Sequence, residues 1–430
     1  MSNVVVLDNG GGLLKAGHAG DDDPTTVIPN CLYRPLSSKK FIHPSPLFPS
    51  STATEDLTSA AVRRPIDRGY LINPDLQRDI WSHLFSTHLK ISPPNSTLLL
   101  TEPLFALPSI QRAADELVFE DFGFKSLHVA DPAKLVHIYE ANRQPHGLAA
   151  TAQCSLVVDC GFSFTHATPV YQNVALSYAA KRIDLGGKAL TNYLKELVSY
   201  RSVNVMDQSF IIDDVKEKLC FVSDDVARDL QIARRRGKDN LMRCTYVLPD
   251  GVTHTNGFVK DEKEAEGYKM LSLENIEDHG DSGERVQDRK KSDLNKNEFD
   301  LTNERFLVPE MLFHPVDLGL NQAGLAECIV RAVNACSSLL HPVLYESIIL
   351  TGGSTLFPRF AERLELELRP LIPEDYHLKI ITQEDPILGV WRGGSFLASS
   401  PEFEGTCVTK AEYEELGSAR CRLKFSHGKV

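Results

Sequence analysis

Two glycine-containing turns carry residue types that suit phosphate chemistry. The first is Gly10-Gly11-Gly12, with Lys15 three residues beyond it, and the second contains Gly161. Backbone N–H groups approach a phosphate closely where no Cβ intervenes, and an ammonium group can place its charge on the same oxygens. Each turn alone is also consistent with a tight hairpin that binds no ligand. Together, the two turns favour a phosphate site.

An aspartate precedes each turn and follows an apolar run. These acids are Asp8 and Asp159. Carboxylates at the carboxyl ends of buried strands suit a hydrated Mg²⁺, which keeps several waters and takes few protein ligands. A buried structural acid is the alternative, and we favour the metal role.

A third glycine pair follows another apolar strand. Gly352-Gly353 comes after residues 347–350 and leads into a predicted helix. Glycines here permit close approach of a backbone or a ligand. Ser354 would either cap that helix or face a nucleotide.

The elements that position these residues form a repeated pattern. An apolar strand, an aspartate, a glycine turn and a second apolar strand occur at Asp8 and again at Asp159, about 150 residues later. One such hairpin is a weak signal. Two of them, a domain length apart, indicate a duplicated domain. Each copy would contribute one acid and one turn to a shared cleft.

The rest of the chain is of mixed α/β type. Apolar spacing predicts a strand at 98–101 and helices at 109–119 and 213–222, and a helical stripe from Leu325 to Leu340. Residues 390–395 are predicted to be the last strand–turn–helix. Residues 252–302 are dense in charge and poor in aromatics, which predicts a flexible surface insert. A packed domain there is the alternative.

Composition limits the function classes. The net charge is −12, so strong direct DNA binding is not expected, and the short basic runs are interpreted as solvated surface. No apolar stretch of about 18 residues occurs, so we expect no membrane span. Nine cysteines without CxxC pairs indicate buried, reduced thiols in an intracellular protein rather than zinc ligands or disulfides.

Several segments together resemble actin, in the same order and over nearly the whole chain. Sugar kinases and the large heat-shock chaperone ATPases share a duplicated core, but the collinear segments are similar to actin. Among the actin-related proteins, the opening, the second turn and the insert most resemble the sixth, nuclear class. The matching segments are residues 8–22, 101–104, 216–220, 248–251, 303–306, 352–354 and 390–395.

The resemblance implies an α/β, actin-like duplicated RNase H-like fold. It would have two lobes of mixed five-stranded sheets with flanking helices, and four subdomains around ATP or ADP with Mg²⁺. The implied subdomains are 1–29, 70–142 and 389–430 for the first, 30–69 for the second, 143–185 and 321–388 for the third, and 186–320, including the insert 252–302, for the fourth.

The resemblance also assigns roles position by position. The metal would be oriented through water by Asp8 and Asp159. The nucleotide would be held by phosphate contacts from Gly10, Gly11, Gly12, Lys15 and Gly161, by ribose and base contacts from Lys216 and Glu217, and by the adenine-side residues Gly352, Gly353 and Ser354.

Departures from actin bear on activity. The water-orienting glutamine of actin aligns with Ala133, an acid of its second phosphate loop aligns with Phe162, and a serine of its first loop aligns with Gly11, whereas His166 matches. Because positioning of the attacking water limits hydrolysis, we expect nucleotide binding with little or no ATPase activity and no catalytic residues. Residues 31–68 do not resemble the filament-contacting loop of actin, which argues against polymerisation.

The implied function is that of a non-catalytic scaffold in a nuclear chromatin-remodelling complex of the SWR type, which deposits the Z-type histone variant. Expected partners are a Swi/Snf-family ATPase, a zinc-finger subunit and histones, since negative charge fits histones better than DNA. The expected location is the nucleus, with the cytoplasm as a second possibility. The alternatives are a cytoskeletal actin-like ATPase that polymerises or caps filaments, and a small-molecule kinase.

Overall fold

The computed structural model describes residues 3–34, 39–44, 61–201, 204–235, 240–249, 257–260 and 298–426. The strands are β1 Val4–Asn9, β2 Leu13–His18, β3 Thr26–Pro29, β4 Leu32–Arg34, β5 Ala61–Arg63, β6 Ile66–Asp67, β7 Tyr70–Leu71, β8 Thr97–Thr101, β9 Ser126–Ala130, β10 Cys154–Cys160, β11 Thr165–Tyr171, β12 Val174–Ala175, β13 Lys181–Ile183, β14 Cys244–Val247, β15 Phe258–Val259, β16 Glu298–Leu301, β17 Ile348–Thr351, β18 Ile380–Ile381 and β19 Val408–Thr409.

The helices alternate with these strands. They are α1 Pro74–His83, α2 Pro108–Glu116, α3 Pro132–Arg143, α4 Leu148–Thr151, α5 Gly187–Arg201, α6 Ser209–Leu219, α7 Val226–Ala233, α8 Glu304–Phe313, α9 Leu325–Asn334, α10 His341–Glu346, α11 Phe360–Leu368, α12 Gly389–Ala398, α13 Phe403–Thr406, α14 Lys410–Leu416 and α15 Ser418–Ser426. None of the helices in the described part of the chain is long and apolar enough to cross a membrane.

The first large sheet has the strand order β19-β9-β8-β1-β2-β3. β1 pairs antiparallel with β2 and parallel with β8, and β8 pairs parallel with β9. The central strands β1 and β8 are apolar and buried on both faces, as expected where helices cover both sides of a sheet.

The second large sheet repeats this arrangement with β12-β11-β10-β17-β18, and β13 also pairs with β11. β10 pairs antiparallel with β11 and parallel with β17, and β17 pairs parallel with β18. The predicted duplication is therefore confirmed. Each sheet has six strands rather than five, because β19 adds to the first sheet and the seven-residue β11 pairs with two short strands along its length.

A smaller sheet, β15-β14-β16, holds both ends of the predicted insert. β15 and β16 pair with β14, and Phe299 and Leu301 are buried. The prediction of 252–302 as one flexible segment was therefore too wide at both ends, because β15 and β16 pair these ends with β14. Residues 261–297 lie outside the described residues.

Residues 390–395 lie within the single helix α12, so the predicted strand–turn–helix there was wrong. The two glycines serve close packing instead of a turn. A Cβ at Gly393 would lie 1.9 Å from the Leu135 carbonyl oxygen of α3. The helical stripe ending at Leu340 is also divided, since α9 ends at Asn334 and α10 begins at His341. The helix predicted at 213–222 lies at 209–219.

The helices α3 and α12 lie between the two large sheets. Their apolar side chains share one core with Val6 of the first sheet and with Val157 and Ile349 of the second. Trp391 of α12 is fully buried, and its indole N–H donates to the Val6 carbonyl oxygen at 3.1 Å. This helix pair therefore joins the two lobes. The four subdomain boundaries stay a prediction.

Candidate functional site

A cavity of about 640 Å³ lies between the two large sheets. Both hairpin turns and the β17 turn open into it, because the carboxyl ends of β1, β10 and β17 meet there. The cavity brings together every site residue that the sequence predicted. They are Asp8, Gly10, Gly11, Gly12, Lys15, Asp159, Gly161, Lys216, Glu217, Gly352, Gly353 and Ser354.

The first glycine turn is held by residues behind it. The Asn30 backbone N–H donates to the Gly12 carbonyl oxygen at 2.8 Å, and the Asn30 side-chain amide donates to the Gly10 carbonyl oxygen at 2.9 Å. On the cavity side, the turn faces the second hairpin, since a Cβ at Gly12 would lie 2.7 Å from the Phe162 ring. The two turns therefore close upon each other across the cleft.

Asp8 is a well-partnered carboxylate. Strand pairing places it opposite Lys15, whose ammonium donates to Asp8 Oδ2 at 2.7 Å. The Thr101 hydroxyl donates to Asp8 Oδ1, also at 2.7 Å. The side chains of Asp8 and Lys15 are 8% and 12% exposed, so this pair carries its charges at the edge of the cavity.

Asp159 differs from Asp8 although it occupies the equivalent place in the second hairpin. Its carboxylate has no hydrogen-bond partner among the residues that the structure describes. Burial raises its pKa to about 7; the charge of Lys15 opposes this, and the charges of Asp8 and Asp131 add to it. An unpartnered carboxylate facing a cavity suits a hydrated cation, because bound water can donate to it while the cation offsets its charge.

Gly161 contributes shape rather than a free donor. Its N–H donates to the Phe164 carbonyl oxygen at 3.1 Å, and its own carbonyl accepts from the Gly187 N–H at 3.0 Å. It lines the cavity, but its amide closes the hairpin. A phosphate contact from the Gly161 N–H would require this turn to rearrange.

Gly352 must be glycine for two reasons. Its φ is +90°, and a Cβ would lie 2.5 Å from the Cys160 carbonyl oxygen and 2.8 Å from Asp159 Oδ1. Gly353 then begins a 3₁₀ turn, Gly353–Leu356. Ser354 is buried, lines the cavity and makes no capping hydrogen bond, so of the two predicted roles the structure favours the one that faces the cavity.

Lys216 and Glu217 have different environments in α6. The buried Lys216 ammonium pairs with Asp213 and donates to the Thr191 hydroxyl at 2.9 Å, so a carboxylate already balances its charge. Glu217 keeps contact with solvent, yet its carboxyl lies in the cavity wall. There burial, followed by the charge of Asp213, raises its pKa to about 7.

Ala133 and Phe162, which depart from actin, line the cavity together with His166, which matches it. Ala133 lies in the first turn of α3, where the Asp131 carboxylate accepts from its N–H at 2.7 Å. The Phe162 ring lies under the guanidinium of Arg64, 4.5 Å from its centroid. His166 has a buried Nε2 without a partner in the described chain, and burial, followed by the charge of Arg182, lowers its pKa to about 4. The imidazole is therefore neutral at pH 7.

Sequence reasoning missed four polar residues that line or support the site. Asp131, which precedes Pro132, carried a usable signal, since an acid before proline is typical of a helix start. Thr101 and Asn30 carried none, because their partners lie in other elements. Asp213 carried one, since it precedes Lys216 by three residues on the predicted helix, a spacing typical of a helical ion pair.

The whole chain was compared with known proteins. A family model described as Actin matches residues 1–426. The chain belongs to the actin family. Similar proteins include the Arabidopsis thaliana "Actin-related protein 6", which is 69% identical over 427 residues, covering 99% of this chain and 100% of that protein. The Dictyostelium discoideum protein of the same name is 37% identical over 467 residues, covering 99% of this chain and 94% of that protein.

A third relative has lower sequence identity but also matches over nearly the full length of both chains. The Drosophila melanogaster "Actin-related protein 6" is 35% identical over 422 residues, covering 96% of this chain and 97% of that protein. The predicted actin fold and the resemblance to the sixth class of actin-related proteins are thus confirmed. Within the actin-family fold, the cavity occupies the cleft between the two duplicated sheets.

Proposed function

We propose that this actin-family protein binds ATP or ADP with Mg²⁺ in the cavity and hydrolyses ATP very slowly or not at all. The observation that carries this proposal is the convergence of two glycine turns and two aspartates on one cavity. The two turns face each other, and Asp8 and Asp159 line the same cavity. Lys15, which pairs with Asp8 and whose charge also acts on Asp159, offers the cation that a phosphate chain needs.

Each part of the site would have a separate task. Lys15 would exchange its pairing with Asp8 for the phosphates, and the unpartnered Asp159 carboxylate would accept hydrogen bonds from the water shell of the metal. Bound Mg²⁺ would supply charge neutralisation at the phosphates. Glu217 would face the sugar and base, and the φ +90° turn at Gly352 would admit the base without a side chain in the way.

Slow hydrolysis follows from what the phosphate end lacks. Ala133 has a methyl group where actin has a water-orienting amide, and Phe162 presents a ring where actin has an acid. His166 is neutral and remains the group that could bind the attacking water. Orientation of water and removal of its proton are the protein's main contributions to such a reaction, so loss of both groups leaves binding with little turnover.

We further propose a scaffold role in a nuclear SWR-type chromatin-remodelling complex that deposits the Z-type histone variant. The support is full-length similarity to proteins named actin-related protein 6, together with an acidic balance of −12 that suits histones as contacts. The partners would be a Swi/Snf-family ATPase and a zinc-finger subunit. A nucleotide held without turnover would act as a structural part of the folded subunit.

Nucleotide binding is tested with purified full-length protein and a fluorescent ATP analogue in Mg²⁺. Lys15→Met should weaken binding by at least about tenfold, since a charged contact is worth about 1.5–3 kcal/mol. The exposed Lys125→Met is the matched control and should leave affinity unchanged. Equal affinity of all three proteins would refute the site, and single-turnover hydrolysis as fast as that of filament actin would refute slow turnover.

The scaffold role is tested by affinity purification from nuclear extract, followed by size-exclusion chromatography and protein identification. We expect co-elution with a Swi/Snf-family ATPase and the histone variant in one large assembly. Elution as monomer or filament without these partners would contradict the remodeller assignment and favour the cytoskeletal alternative.

A further inference from the structure

A second cavity, which we call the mouth cavity, lies beside the nucleotide cleft. It encloses about 300 Å³ between residues 62–72 on one side and the helices α5 and α6 on the other. Its wall shares Arg64, Phe162 and Asp213 with the cleft. Three cationic side chains line it: Arg64, Lys188 and Lys195.

Lys195 is buried without a close counter-ion. Lys195 is only 7% exposed, and its ammonium donates to the Ser209 hydroxyl at 2.6 Å. No carboxylate of the described residues lies within 4.0 Å of it. Asp213 and Asp207 attract it from farther away, but Asp213 is already paired with Lys216.

Arg64 reaches the mouth cavity from the opposite side and also lacks a carboxylate partner among the described residues. Its guanidinium makes two long contacts with carbonyl oxygens of the first glycine turn, at 3.4 and 3.5 Å, and it covers the Phe162 ring. Burial lowers the pKa of the Lys195 ammonium, and the positive charge of Arg64 lowers it further, by a smaller effect. Two like charges therefore line one half-open space, together with the carboxylates of Asp67 and Asp213.

Other polar groups line the same wall. The Asn192 amide and the Ser209 hydroxyl, which accepts from Lys195, can donate to a ligand, whereas the Thr191 hydroxyl already donates within the protein. Lys188 pairs with Asp67 across the cavity at 2.5 Å, and both side chains are more than 40% exposed, so this contact can yield to a stronger anion. A buried ammonium without a counter-ion destabilises the fold, whereas an anion bound to it removes that penalty.

We propose that the mouth cavity binds a small phosphate-containing anion between Lys195 and Arg64. Phosphate accepts several charge-assisted hydrogen bonds at once, and the guanidinium fork and the ammonium are its usual partners. The 300 Å³ volume accommodates a free phosphate, a pyrophosphate or one phosphoryl group of a small metabolite, but not a folded partner. Lys188 and Lys195 line the mouth cavity and not the cleft, whereas Arg64 borders both, so this site adjoins the nucleotide phosphates, which the glycine turns and Lys15 would hold.

An anion in the mouth cavity would join the two sides of the cleft. Arg64 lies in the segment between β5 and β6, whereas Lys195 lies on α5 of the opposite side. Binding should therefore restrain residues 62–72 relative to α5. The observable is slower amide hydrogen exchange in both segments when the anion is added.

The direct test is calorimetry on the full chain with inorganic phosphate, pyrophosphate and fructose 1,6-bisphosphate, each up to about 10 mM, which saturates a site of millimolar affinity. We expect one site for at least one probe. Lys195→Met and Arg64→Gln should each weaken it by at least about tenfold. Lys15→Met should not, because Lys15 serves the other cavity. Preference for phosphate or pyrophosphate would indicate a free anion, and preference for the bisphosphate an organic one.

Three results would overturn the proposal. One is no binding of any probe to the unaltered protein. Another is loss of binding in Lys15→Met with no effect of Lys195→Met, which would place the anion on the glycine turns. The third is binding only of an acidic peptide from a partner, with all three small anions inert. Should Lys195→Met fail to fold, Lys188→Met, which lines the mouth cavity and not the cleft, carries the same test.

Discussion

Asp159→Asn should stabilise the ligand-free protein at pH 8. The substitution preserves the shape of a side chain whose carboxylate has no hydrogen-bond partner among the described residues, and it removes the charge. A carboxyl whose pKa rises from 3.8 unfolded to about 7 folded binds its proton more tightly in the folded state. The free energy of unfolding therefore falls as pH rises from about 4 to about 7, and the full penalty is present at pH 8.

The size of the effect follows from that pKa difference. About three units at 1.36 kcal/mol each give a penalty of up to about 4 kcal/mol in the unaltered protein. An unfolding entropy of about 2.1 cal/mol/K per residue gives about 0.9 kcal/mol/K for 430 residues. The variant should therefore unfold about 4 °C higher at pH 8, and the difference should vanish below about pH 4.

The measurement is thermal unfolding in EDTA, without nucleotide, at pH 8 and pH 4. Asp375→Asn, at an exposed residue without an ion pair among the described residues, is the matched control and should leave the midpoint unchanged at both pH values. A midpoint for Asp159→Asn at pH 8 that equals or falls below that of the unaltered protein would show that the carboxylate is already compensated. Mg²⁺ with ATP should raise the midpoint of the unaltered protein more than that of the variant.

Three further predictions concern other parts of the fold. Gly352→Ala should lower the free energy of unfolding by about 2–4 kcal/mol, because its φ is left-handed and a Cβ would clash with a strand carbonyl. Gly353→Ala, whose Cβ would make one ordinary contact, should be near neutral, and equal unfolding midpoints for the two variants would contradict the reasoning. Ala133→Gln should raise single-turnover ATP hydrolysis by at least about tenfold by orienting water, and an unchanged rate would mean that another missing group limits the reaction. Arg305→Met should lower the free energy of unfolding by about 3 kcal/mol, because it leaves two buried carbonyl oxygens without this donor. Arg331→Met, at an exposed arginine, is the control, and similar urea midpoints for the two variants would refute the reasoning.

The hairpins were predictable because their signals are local. An apolar run ending in Asp8, a glycine turn and a returning strand specify both the pairing and the side on which the acid lies. The same holds at Asp159, so the duplicated sheets and the shared cavity followed from the sequence. Asp8 and Asp159 occupy equivalent places, yet the residue opposite each differs, since Lys15 pairs with Asp8 and His166 lies opposite Asp159. Thr101, from a strand far along the chain, adds a second partner to Asp8 that no local pattern reveals.

Residues whose roles depend on contacts distant in sequence were misinterpreted or overlooked. Gly393 looked like part of a turn, but its lack of a side chain serves the contact with α3, which no local pattern reveals. The charge-rich composition of 252–302 masked the apolar residues Phe299 and Leu301 that pair its end into a sheet. Lys195 looked like any helix lysine, because its burial and its contact with Ser209 of the neighbouring helix appear only in the folded chain.

The contact between α3 and α12 determines how the two lobes can move. The backbones touch where Gly393 meets Leu135, and the buried indole of Trp391 fastens α12 to the first sheet. Sliding along this contact would drive atoms into one another, whereas rotation about it keeps the core intact. Displacement then grows with distance from the helix pair, so the outer ends of the lobes travel farthest. A partner that binds both outer ends would act far from the helix pair, so a small force there would suffice to keep the cleft closed.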